Sequence, residues 1–452
     1  MHAALDIHPT KSTREGFALT RLLDSDGNRI CLLDIEYSRL AVLQEPAPCA
    51  VDLLLLASAV YAMDKLVPRS TATDGWTREL SLTLPVSDPS IWWALEDRVN
   101  TCLSFLTGDV WAVGFVTRPC DPVRPRSGRA RQRIVVLTPV DAVCLFSGGL
   151  DSLVGAIDWL ETDPARNVLL MGHHERRMPG PLSDQERLIG PLRLTYPQRI
   201  QPILVRVGHM GDREGAVDIT LRGRSLLFIA LGVFAASARE AHLPLMVPEN
   251  GMIALNVPLT PSRRGSCSTR TAHPFYMSMV QEIVTSLGLK VLITNPLEKK
   301  TKGEVVCSCR NQNLLEQIAA LSVSCAKRGR KNHWKRRSAR ACGHCMPCIY
   351  RRAALHAAGW DDEVYGNDFC AGEVDLEGVG DIANDLRACF TFLKRKPNHR
   401  AIESLLMASG RLVINRLSQS AKIVERAMEE IRRLITDNAI PRVKAAAGIS
   451  KE

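Results

Sequence analysis

The chain has 452 residues, which at roughly 150 residues per domain predicts two or three domains. Its hydrophobic fraction of 46% and charged fraction of 23% are typical of globular proteins and exclude a fibrous or wholly disordered chain. The net charge of +10 is concentrated in two segments, residues 124–133 with five Lys/Arg and residues 327–340 with eight, and the remainder is slightly acidic. These segments are either solvated loops or contact sites for something acidic, such as RNA, DNA, nucleotide phosphates or an acidic partner protein.

The N-terminus lacks the apolar core of a secretory signal. The longest apolar run, Leu53–Met63, is far shorter than the roughly 20 residues of a membrane span. We therefore expect a soluble, cytoplasmic protein without membrane contact. Because that compartment keeps thiols reduced, the fourteen cysteines are not expected to form a disulfide framework, and their spacing needs another explanation.

Residues 1–118 mix short strand-like runs with helices. The segment 76–86 alternates in places as a strand does, and the segment 87–106 opens with Ser, Asp and Pro in the order typical of a helix start. The segment 108–116 predicts another strand. Since none of these runs carries recognisable chemistry, we predict an α+β accessory domain here, followed by an Arg/Pro-rich linker over residues 119–140.

Residues 141–358 change to alternating strands and helices. The predicted strands are 142–146, 167–172, 202–207, 244–248 and 290–296, and the predicted helices are Leu150–Leu160, Asp184–Tyr196, Ser225–Arg239 and Tyr276–Leu287. Short apolar strands separated by helices predict an α/β domain with a parallel sheet covered on both faces. Ligands of such sheets bind beyond the carboxyl ends of the strands.

The last region, residues 359–452, is predicted to be helical. Apolar residues recur there at helical spacing with charged residues between them, namely at Ile423, Ala427, Ile431 and Leu434. The chain contains no internal repeat.

The stretch VCLFSGGLDSLVGA (143–156) joins a buried strand to a helix through two glycines. Its backbone N–H groups lie at a helix N-terminus where no Cβ blocks an anion, a geometry that suits phosphate. Ser147 and Ser152 can donate hydrogen bonds to phosphate oxygens. Asp151 suits such a site only if it holds a cation, for which Mg2+ is favoured, or caps the helix. The alternative is a plain turn, and no P-loop NTPase motif occurs in the chain.

A second motif, CGHCMPC (342–348), places three cysteines at the spacing of metal ligands. One more thiolate would complete a tetrahedral four-cysteine zinc site, and Cys325 is the natural fourth ligand. A full thiolate shell leaves no open position, so we expect a structural role. Redox exchange and an iron–sulfur cluster remain open as less favoured alternatives. The weaker candidates for the fourth ligand are Cys307, Cys309, His333 and His344.

Two motifs together point to a family. The string SGGLDS matches the PP-loop of the ATP pyrophosphatases, which adenylate a carboxylate or carbonyl and release pyrophosphate. A PP-loop followed by Ser-Cys, Cys-Gly-x-Cys-x-x-Cys and Arg-Arg resembles the QueC family, the 7-cyano-7-deazaguanine synthases. The stretches RGRSLLFIALGVFAASA (222–238) and NPLEKKTKGEVV (295–306) agree with it. The resemblance covers residues 141–358 and implies an adenine nucleotide alpha hydrolase-like PP-loop fold.

Several features depart from the biosynthetic enzymes of this family. About 140 residues precede the PP-loop, and MGHHERRMPG (171–180) stands where those enzymes carry a Tyr-Gly-Gln-type element. Their aspartate-rich substrate segment appears here as PENGMIALNVPLTPSRRGSCSTRTAHP (248–274), and a basic insertion separates the first two zinc cysteines. With these departures the chain is more similar to the QueC-like proteins of bacterial anti-phage operons, of the QatC type found in the Qat system.

The resemblance implies an ATP-dependent carbon–nitrogen ligase that adenylates the carboxylate of 7-carboxy-7-deazaguanine or a related deazapurine. Ammonia would then give an amide, and a second activation a nitrile. Alternatively, the amine of a partner protein from the same operon captures the acyl adenylate. The implied cofactors are ATP, Mg2+ and Zn2+.

The resemblance also assigns residues to roles. Catalysis is assigned to Ser147, Asp151, Ser152 and Lys302. Pyrophosphate and Mg2+ are assigned to Ser147, Gly148, Gly149, Leu150, Asp151 and Ser152, with Arg224 contacting the nucleotide or carboxylate. The zinc ligands are Cys325, Cys342, Cys345 and Cys348. The position of a long polar loop after a strand, on the ligand side of the sheet, predicts a substrate pocket from Asn250, Arg263, Arg270, Thr271 and His273, with simple solvent exposure as the alternative. His173 and His174 follow the second strand at the same edge, where a packed or solvated histidine is the alternative.

Two other functional classes remain open from the sequence. A tRNA-directed PP-loop enzyme would use the basic segments on RNA. A nucleotide-binding, non-catalytic scaffold in a defence complex would keep the loop without releasing pyrophosphate. The sequence leaves open the role of the N-terminal domain, the oligomeric state, the operon partner and the final acceptor.

Overall fold

The structure is a computed structural model of the whole chain. It describes residues 1–12, 16–43, 46–124, 139–178, 180–211, 218, 220–238, 243–260, 270–378 and 382–449. Most of the predicted linker, residues 125–138, therefore lies outside the described residues, as does Arg263 of the predicted substrate pocket.

The described residues form a mixed α/β structure. Its strands are β1 (His2–Ser12), β2 (Ala18–Asp24), β3 (Arg29–Ile35), β4 (Glu79–Val86), β5 (Val110–Thr117), β6 (Ala142–Leu145), β7 (Val168–His174), β8 (Ile200–Gly211), β9 (Leu245–Met246) and β10 (Ile293–Thr294). Its first helices are α1 (Tyr37–Leu40), α2 (Pro48–Leu66), α3 (Pro89–Trp93), α4 (Glu96–Thr107), α5 (Leu150–Thr162), α6 (Gly180–Thr195), α7 (Arg224–Ser237) and α8 (Gly251–Leu255). The remaining helices are α9 (Pro274–Ser286), α10 (Lys302–Cys307), α11 (Gln312–Ile318), α12 (Met346–Ala357), α13 (Asn384–Arg395), α14 (His399–Ser409), α15 (Ile414–Asn438) and α16 (Pro441–Ala446).

The strands join in one ten-stranded sheet with the order β10-β9-β6-β7-β8-β3-β2-β1-β4-β5. The first five strands in this order are parallel, as predicted, and β1, β4 and β5 are also parallel to one another. Strand β8 connects the two parts because Ile200–Arg206 pairs with β7 and Val207–Gly211 pairs antiparallel with β3. The N-terminal strands thus extend the same sheet that carries the glycine turn.

Alternating side chains of the central strands enter two different cores. Val143 and Leu145 of β6 pack in a core with α2 and α7, whereas Cys144 and Phe146 pack in a second core with α5 and α6. Because both faces are covered, strand β6 is buried along its whole length. The parallel sheet predicted from the apolar strands is therefore confirmed.

The N-terminal helices differ from the predicted pattern in one place. The segment read as one helix forms two, α3 and α4, because Leu95 leaves the helical conformation with φ −109° and ψ 2°. Asp88 caps α3 by accepting a hydrogen bond from the amide of Ser90 at 3.0 Å. This break places both Trp92 and Val99 in the core.

Helix α2 is buried on all sides, including its charged residues Asp52, Asp64 and Lys65. It contains the longest apolar run of the chain and packs against α7 and the sheet. In the part of the chain that the structure describes, no helix combines the length and the apolar character needed to cross a membrane.

The C-terminal region is helical, as predicted. All four residues of the predicted apolar stripe, Ile423, Ala427, Ile431 and Leu434, are buried on α15. Glu430 on the same helix accepts a hydrogen bond from the Thr301 hydroxyl and one from the Gly303 amide at 3.1 Å. The last long helix thereby holds the start of α10.

A buried ionic network ties α2 to the N-terminal sheet. Arg78 donates to Asp64 at 2.7 Å and to Asp109 at 2.6 Å, and all three side chains are at most 2% exposed. Arg69 adds a second donor to Asp109 at 2.8 Å. Each carboxylate thus has its charge compensated away from water, which a buried ion requires.

Replacing Arg78 with Met should remove the closest cationic partner of Asp64 and leave Asp109 paired with Arg69 alone. We expect the free energy of unfolding to fall by about 3–5 kcal/mol, the cost of breaking a buried ion pair. The matched control is Arg98→Met, because Arg98 forms an exposed pair with Glu282 and its loss should cost less than about 1 kcal/mol. Urea denaturation followed by circular dichroism measures both, and equal effects of the two substitutions would contradict the expectation.

Candidate functional site

Polar residues follow the parallel strands where each strand ends. The glycine turn follows β6, His173 is the next-to-last residue of β7, Glu249 and Asn250 follow β9, and the segment after β10 leads into α10. Since carboxyl ends of parallel strands meet at one edge of a sheet, these groups share that edge.

The glycine turn is shaped by close packing around Gly148. This residue has φ +83°, a left-handed conformation that glycine adopts without strain. A Cβ on it would lie 2.9 Å from the Cβ of Asp184 and 3.1 Å from the amide nitrogen of Gln185, so α6 leaves room only for glycine. Gln185 also donates to the carbonyl of Phe146 at 3.0 Å, which fixes the chain just before the turn.

The hydroxyls of the turn point toward its own backbone. Ser147 Oγ accepts from the Gly149 amide at 3.2 Å and lies 3.2 Å from Ser152 Oγ, which donates to the Gly149 carbonyl at 2.9 Å. Ser147 is exposed, and Leu150 begins the 13-residue helix α5. Amides of the first helical turn have no intrahelical acceptor, so the turn presents donors at the positive end of a helix dipole.

Asp151 lies at the centre of a buried polar group. Its Oδ1 accepts from Lys302 Nζ at 2.6 Å, and its Oδ2 accepts from Asn250 Nδ2 at 2.7 Å. Asp151, Asn250 and Lys302 are 5%, 0% and 3% exposed. Burial alone would raise the pKa of Asp151, but the Lys302 ammonium and the hydrogen bonds lower this pKa by more. The net pKa lies below the usual value, so the carboxyl is ionised.

The sequence interpretation missed Glu249, which is directly beside this group. Burial and the negative charge of Asp151 raise the pKa of Glu249 well above its usual value, so Glu249 holds a proton and Asp151 holds the charge. Asn295 fixes the Glu249 backbone by donating to its carbonyl at 2.7 Å. Its position in the sequence could have indicated it, because Glu249 follows a predicted parallel strand and so lies at the same edge of the sheet as Asp151.

Arg224 and His173 meet one strand further along the edge. Arg224 Nε lies 3.4 Å from His173 Nδ1, and His173 Nε2 lies 2.9 Å from the carbonyl of Val207. Since Arg224 can only donate, His173 accepts through Nδ1 and carries its proton on Nε2. Burial, reinforced by the charge of Arg224, holds the pKa of His173 well below its usual value, so the ring is neutral.

The predicted substrate residues do not form one group. Asn250 contacts Asp151, whereas Arg270 and His273 pack against Phe105 of α4, with ring centroids of Phe105 and His273 5.3 Å apart. His273 accepts from the Phe275 amide at 3.2 Å and caps α9. Thr271 lies between them and is half-buried. Among the described residues no hydrogen bond joins this second set to the glycine turn.

The four predicted zinc ligands come together. The sulfur atoms of Cys325, Cys342, Cys345 and Cys348 all lie within 4.8 Å of one another, with Cys345–Cys348 at 3.3 Å and Cys342–Cys348 at 3.7 Å. Four sulfurs bound tetrahedrally to zinc at about 2.3 Å would lie about 3.8 Å apart. The cluster could therefore hold a metal such as zinc, and Cys325 is the fourth cysteine that lies in it.

The surroundings of the sulfurs also suit a metal. The amides of His344 and Cys345 donate to Cys342 Sγ at 3.5 and 3.3 Å, and the Cys342 amide donates to Cys325 Sγ at 3.3 Å. Such donors stabilise thiolates. The weaker candidates Cys307, Cys309, His333 and His344 do not belong to the cluster.

The cysteine cluster is connected to the glycine turn through the two residues before Cys325. The Val323 amide donates to the Gly148 carbonyl at 2.9 Å, and Ser324 Oγ lies 3.4 Å from the Leu150 amide. Cys348 Sγ contacts the carbonyl of Ser324 at 3.7 Å. The cluster segment therefore forms one wall of the turn.

Arg351, from the Arg-Arg pair of the motif, fixes the preceding part of that wall. It donates to the Ser322 hydroxyl and to the Ala319 carbonyl, both at 2.8 Å, and forms an ion pair with Glu363. Its side chain is 1% exposed. The role of this arginine in the structure is therefore to position backbone rather than to contact solvent.

Much of the basic segment 327–340 is neutralised within the chain. Arg328 and Arg340 both pair with Asp184, the residue packed under Gly148, and Arg336 pairs with Glu373. Arg337 and Lys335 remain exposed. The charge count of the segment thus overstates the positive charge available to an external partner.

Comparisons with protein-family models, with curated proteins and with solved structures find no match for this chain. Two surface clefts lie away from the sheet edge, one of about 350 Å³ between α13 and α15 and one of about 300 Å³ between α4 and α9. Neither is lined by a residue of the glycine turn, and neither gathers the buried charged groups found at the edge.

Purified protein should contain about one zinc ion per chain, measured by elemental analysis. Cys345→Ser should lose most of the metal because it removes one of four ligands. The control is Cys309→Ser, which alters a buried thiol outside the cluster. Retention of zinc by the Cys345 variant, or iron in place of zinc, would contradict the expectation.

Stability should fall in mild acid partly because of His273. Burial and the charge of Arg270 lower its pKa to about 4, against about 6.5 in an unfolded chain. The unfolded state then binds more protons between these pH values, and this histidine should cost about 2 kcal/mol of stability between pH 7 and pH 5. His273→Asn should flatten the pH dependence measured by urea denaturation. An unchanged slope would contradict the low pKa.

Proposed function

We propose that the chain is a QueC-like, ATP-dependent ligase that adenylates the carboxylate of 7-carboxy-7-deazaguanine or a related deazapurine. The reaction would belong to bacterial anti-phage defence and take place in the cytoplasm. The observation that carries the proposal is the packing of the cysteine-cluster segment onto the glycine turn through Val323 and Gly148. It brings together in space the two motifs on which the family resemblance rests.

The turn supplies what a departing pyrophosphate needs. Ser147 is exposed beside amides at the N-terminus of α5, and Gly148 and Gly149 present no side chain to an approaching anion. These donors are fixed before a ligand arrives, because Asp184 and Val323 pack on both sides of Gly148. Donors fixed in this way stabilise developing charge without reorganisation cost.

Lys302 and the carboxyl groups beside it complete the electrostatic arrangement. The ionised Asp151 has the oxygen ligands that Mg2+ prefers and would hold it, and Glu249 would join it once Mg2+ displaces the Glu249 proton; bound Mg2+ neutralises phosphate charge. Lys302 pairs with Asp151 in the structure. In the reaction it would contact the departing pyrophosphate as negative charge develops there. Ser147, Asp151, Ser152 and Lys302 are thus the residues to which we assign the chemistry.

In the proposed reaction a carboxylate oxygen of the acid attacks the α-phosphorus of ATP. The bond from that phosphorus to the bridging oxygen breaks, and pyrophosphate leaves with its electron pair. An amine then attacks the acyl carbon, AMP leaves, and the amine loses a proton to give an amide. The amine is ammonia or belongs to a partner protein of the same operon, and a second activation of the amide would give a nitrile.

The tRNA-directed alternative has less support from the structure. Arg328, Arg336 and Arg340 of the basic segment are paired with carboxylates of the chain, which lowers the charge left for phosphate contacts. A non-catalytic scaffold would bind a nucleotide just as the ligase would. Only an assay of the reaction therefore distinguishes these two functions.

Pyrophosphate release in the presence of ATP, Mg2+ and 7-carboxy-7-deazaguanine tests the proposal. Asp151→Asn keeps the size of the side chain but removes its charge, and we expect release to fall at least about 100-fold, as when a preorganised charge-stabilising group is lost. The control Asp97→Asn alters an exposed carboxylate on α4 and should leave the rate unchanged.

Two outcomes of this assay separate the functional alternatives, and a separate mass measurement tests the acceptor. Absence of release by the wild-type protein with nucleotide still bound would favour the scaffold. Release that requires tRNA instead of the deazapurine acid would favour the RNA-directed class. Intact-mass measurement of co-expressed operon partners tests the acceptor, and an active enzyme that adds no mass would exclude the protein amine.

A further inference from the structure

A second group of ionisable side chains, all buried except the half-buried Arg224, lies beside the candidate site. It consists of Tyr61 and Lys65 on α2, Glu175 after β7, His209 on β8 and Arg224 at the start of α7, and is called here the α2 cluster. Lys65 Nζ lies 2.5 Å from Glu175 Oε1, which also accepts from the Tyr61 hydroxyl. Lys65 and Glu175 are each 7% exposed.

The α2 cluster contains more cations than anions. Burial lowers the pKa of Lys65 to about 8, and burial raises the pKa of Glu175 to about 7 despite the nearby charge of Arg224. Near neutral pH, Lys65 and Arg224 are therefore both largely charged, while Glu175 is only partly ionised. An excess of buried positive charge is costly unless an anion compensates it.

His209 gives an independent indication of a missing partner. The residue is 9% exposed, and its Nδ1 is buried without a hydrogen-bond partner among the described residues. Burial, with the charge of Lys65 as the next cause, lowers the pKa of His209 to about 4, so the ring is neutral. A buried polar atom of this kind normally has a partner, which a bound ligand or water supplies.

The position of the cluster fits a ligand that also occupies the glycine turn. Arg224 contacts His173 at the end of β7, the strand next to β6. Helix α2 also holds the start of α7, because Asp64 Oδ2 accepts from the Gly223 amide at 3.1 Å and from the Thr220 hydroxyl at 3.0 Å. The N-terminal region therefore contributes side chains at the same edge of the sheet.

We propose that Lys65 and Arg224 form an anion subsite that binds the carboxylate of the acid substrate, with Glu175 as the counter-ion of the empty site. The identity of the substrate rests on the proposed function, but the binding of a carboxylate does not. When the substrate enters, its carboxylate takes the place of Glu175 beside Lys65. Glu175 can take up a proton, so that two adjacent anions are not left in a buried site.

The first test measures binding in the absence of ATP. Isothermal titration calorimetry compares 7-carboxy-7-deazaguanine with the uncharged 7-cyano-7-deazaguanine, which has the same ring. Lys65→Met should weaken binding of the acid about 10- to 100-fold, the range for a lost hydrogen bond to a charged group, and affect the nitrile less than about threefold. Lys65→Arg should retain acid binding, and the exposed control Lys290→Met should change neither ligand. Equal losses for both ligands, or no loss for the acid, would overturn the subsite.

The second test does not depend on the proposed function and uses acetate as the probe. At constant ionic strength, acetate in place of chloride should raise the melting temperature of Glu175→Gln, because that variant lacks the competing carboxylate. The double variant Glu175→Gln/Lys65→Met should lose this acetate effect. If Glu175→Gln shows no acetate-specific rise, the subsite is overturned even where pyrophosphate release is intact. If acetate raises the melting temperature of Glu175→Gln but the wild-type protein releases no pyrophosphate, the subsite is supported and the proposed substrate is wrong.

Discussion

The ion pair between Asp151 and Lys302 is the constraint on which the arrangement at the sheet edge depends. It joins the start of α5 to the start of α10 across 151 residues of sequence, and both side chains are almost completely buried. Neither charge can be left alone at that depth, so the two helices have to meet there. Asn250 completes the carboxylate and at the same time caps α8, which fixes the end of β9 to the same point.

The position of Lys302 is itself set by more distant parts of the chain. Thr301 and Glu304 form a capping box at the start of α10, and Glu430 of α15 binds the Thr301 hydroxyl and the Gly303 amide. A Cβ on Gly303 would lie 2.5 Å from a Glu430 oxygen, so any larger residue would displace the Glu430 carboxylate from this contact. Helix α15 of the C-terminal region therefore helps to hold Lys302 in contact with Asp151, beside the glycine turn.

Local patterns in the sequence predicted the parallel strands, the glycine turn and the four-cysteine cluster, because each is recorded within a few neighbouring residues. What they could not predict are contacts between distant segments. Lys65 lies just beyond the longest apolar run of the sequence, and no local pattern indicates that it meets Glu175 across 110 residues. The division of β8 between two neighbours was equally hidden, since either half has the composition of an ordinary strand. Likewise, the charge of segment 327–340 could be counted, but its pairing with Asp184 and Glu373 could not.

The glycine turn is held on three sides by residues from distant segments of the chain. Asp184 packs beneath Gly148, Val323 binds its carbonyl from the cysteine-cluster side, and Asn250 and Lys302 hold Asp151 on the third. A five-residue turn alone would lose its conformation to backbone entropy of about 1–2 kcal/mol per residue. Because each support comes from a different segment of the chain, the shape of the turn depends on the folding of all of them. A metal in the cysteine cluster would thus stabilise the conformation of the turn without contacting it. It would fix the position of Cys325 and so of the preceding residues, Val323 and Ser324, which contact the turn.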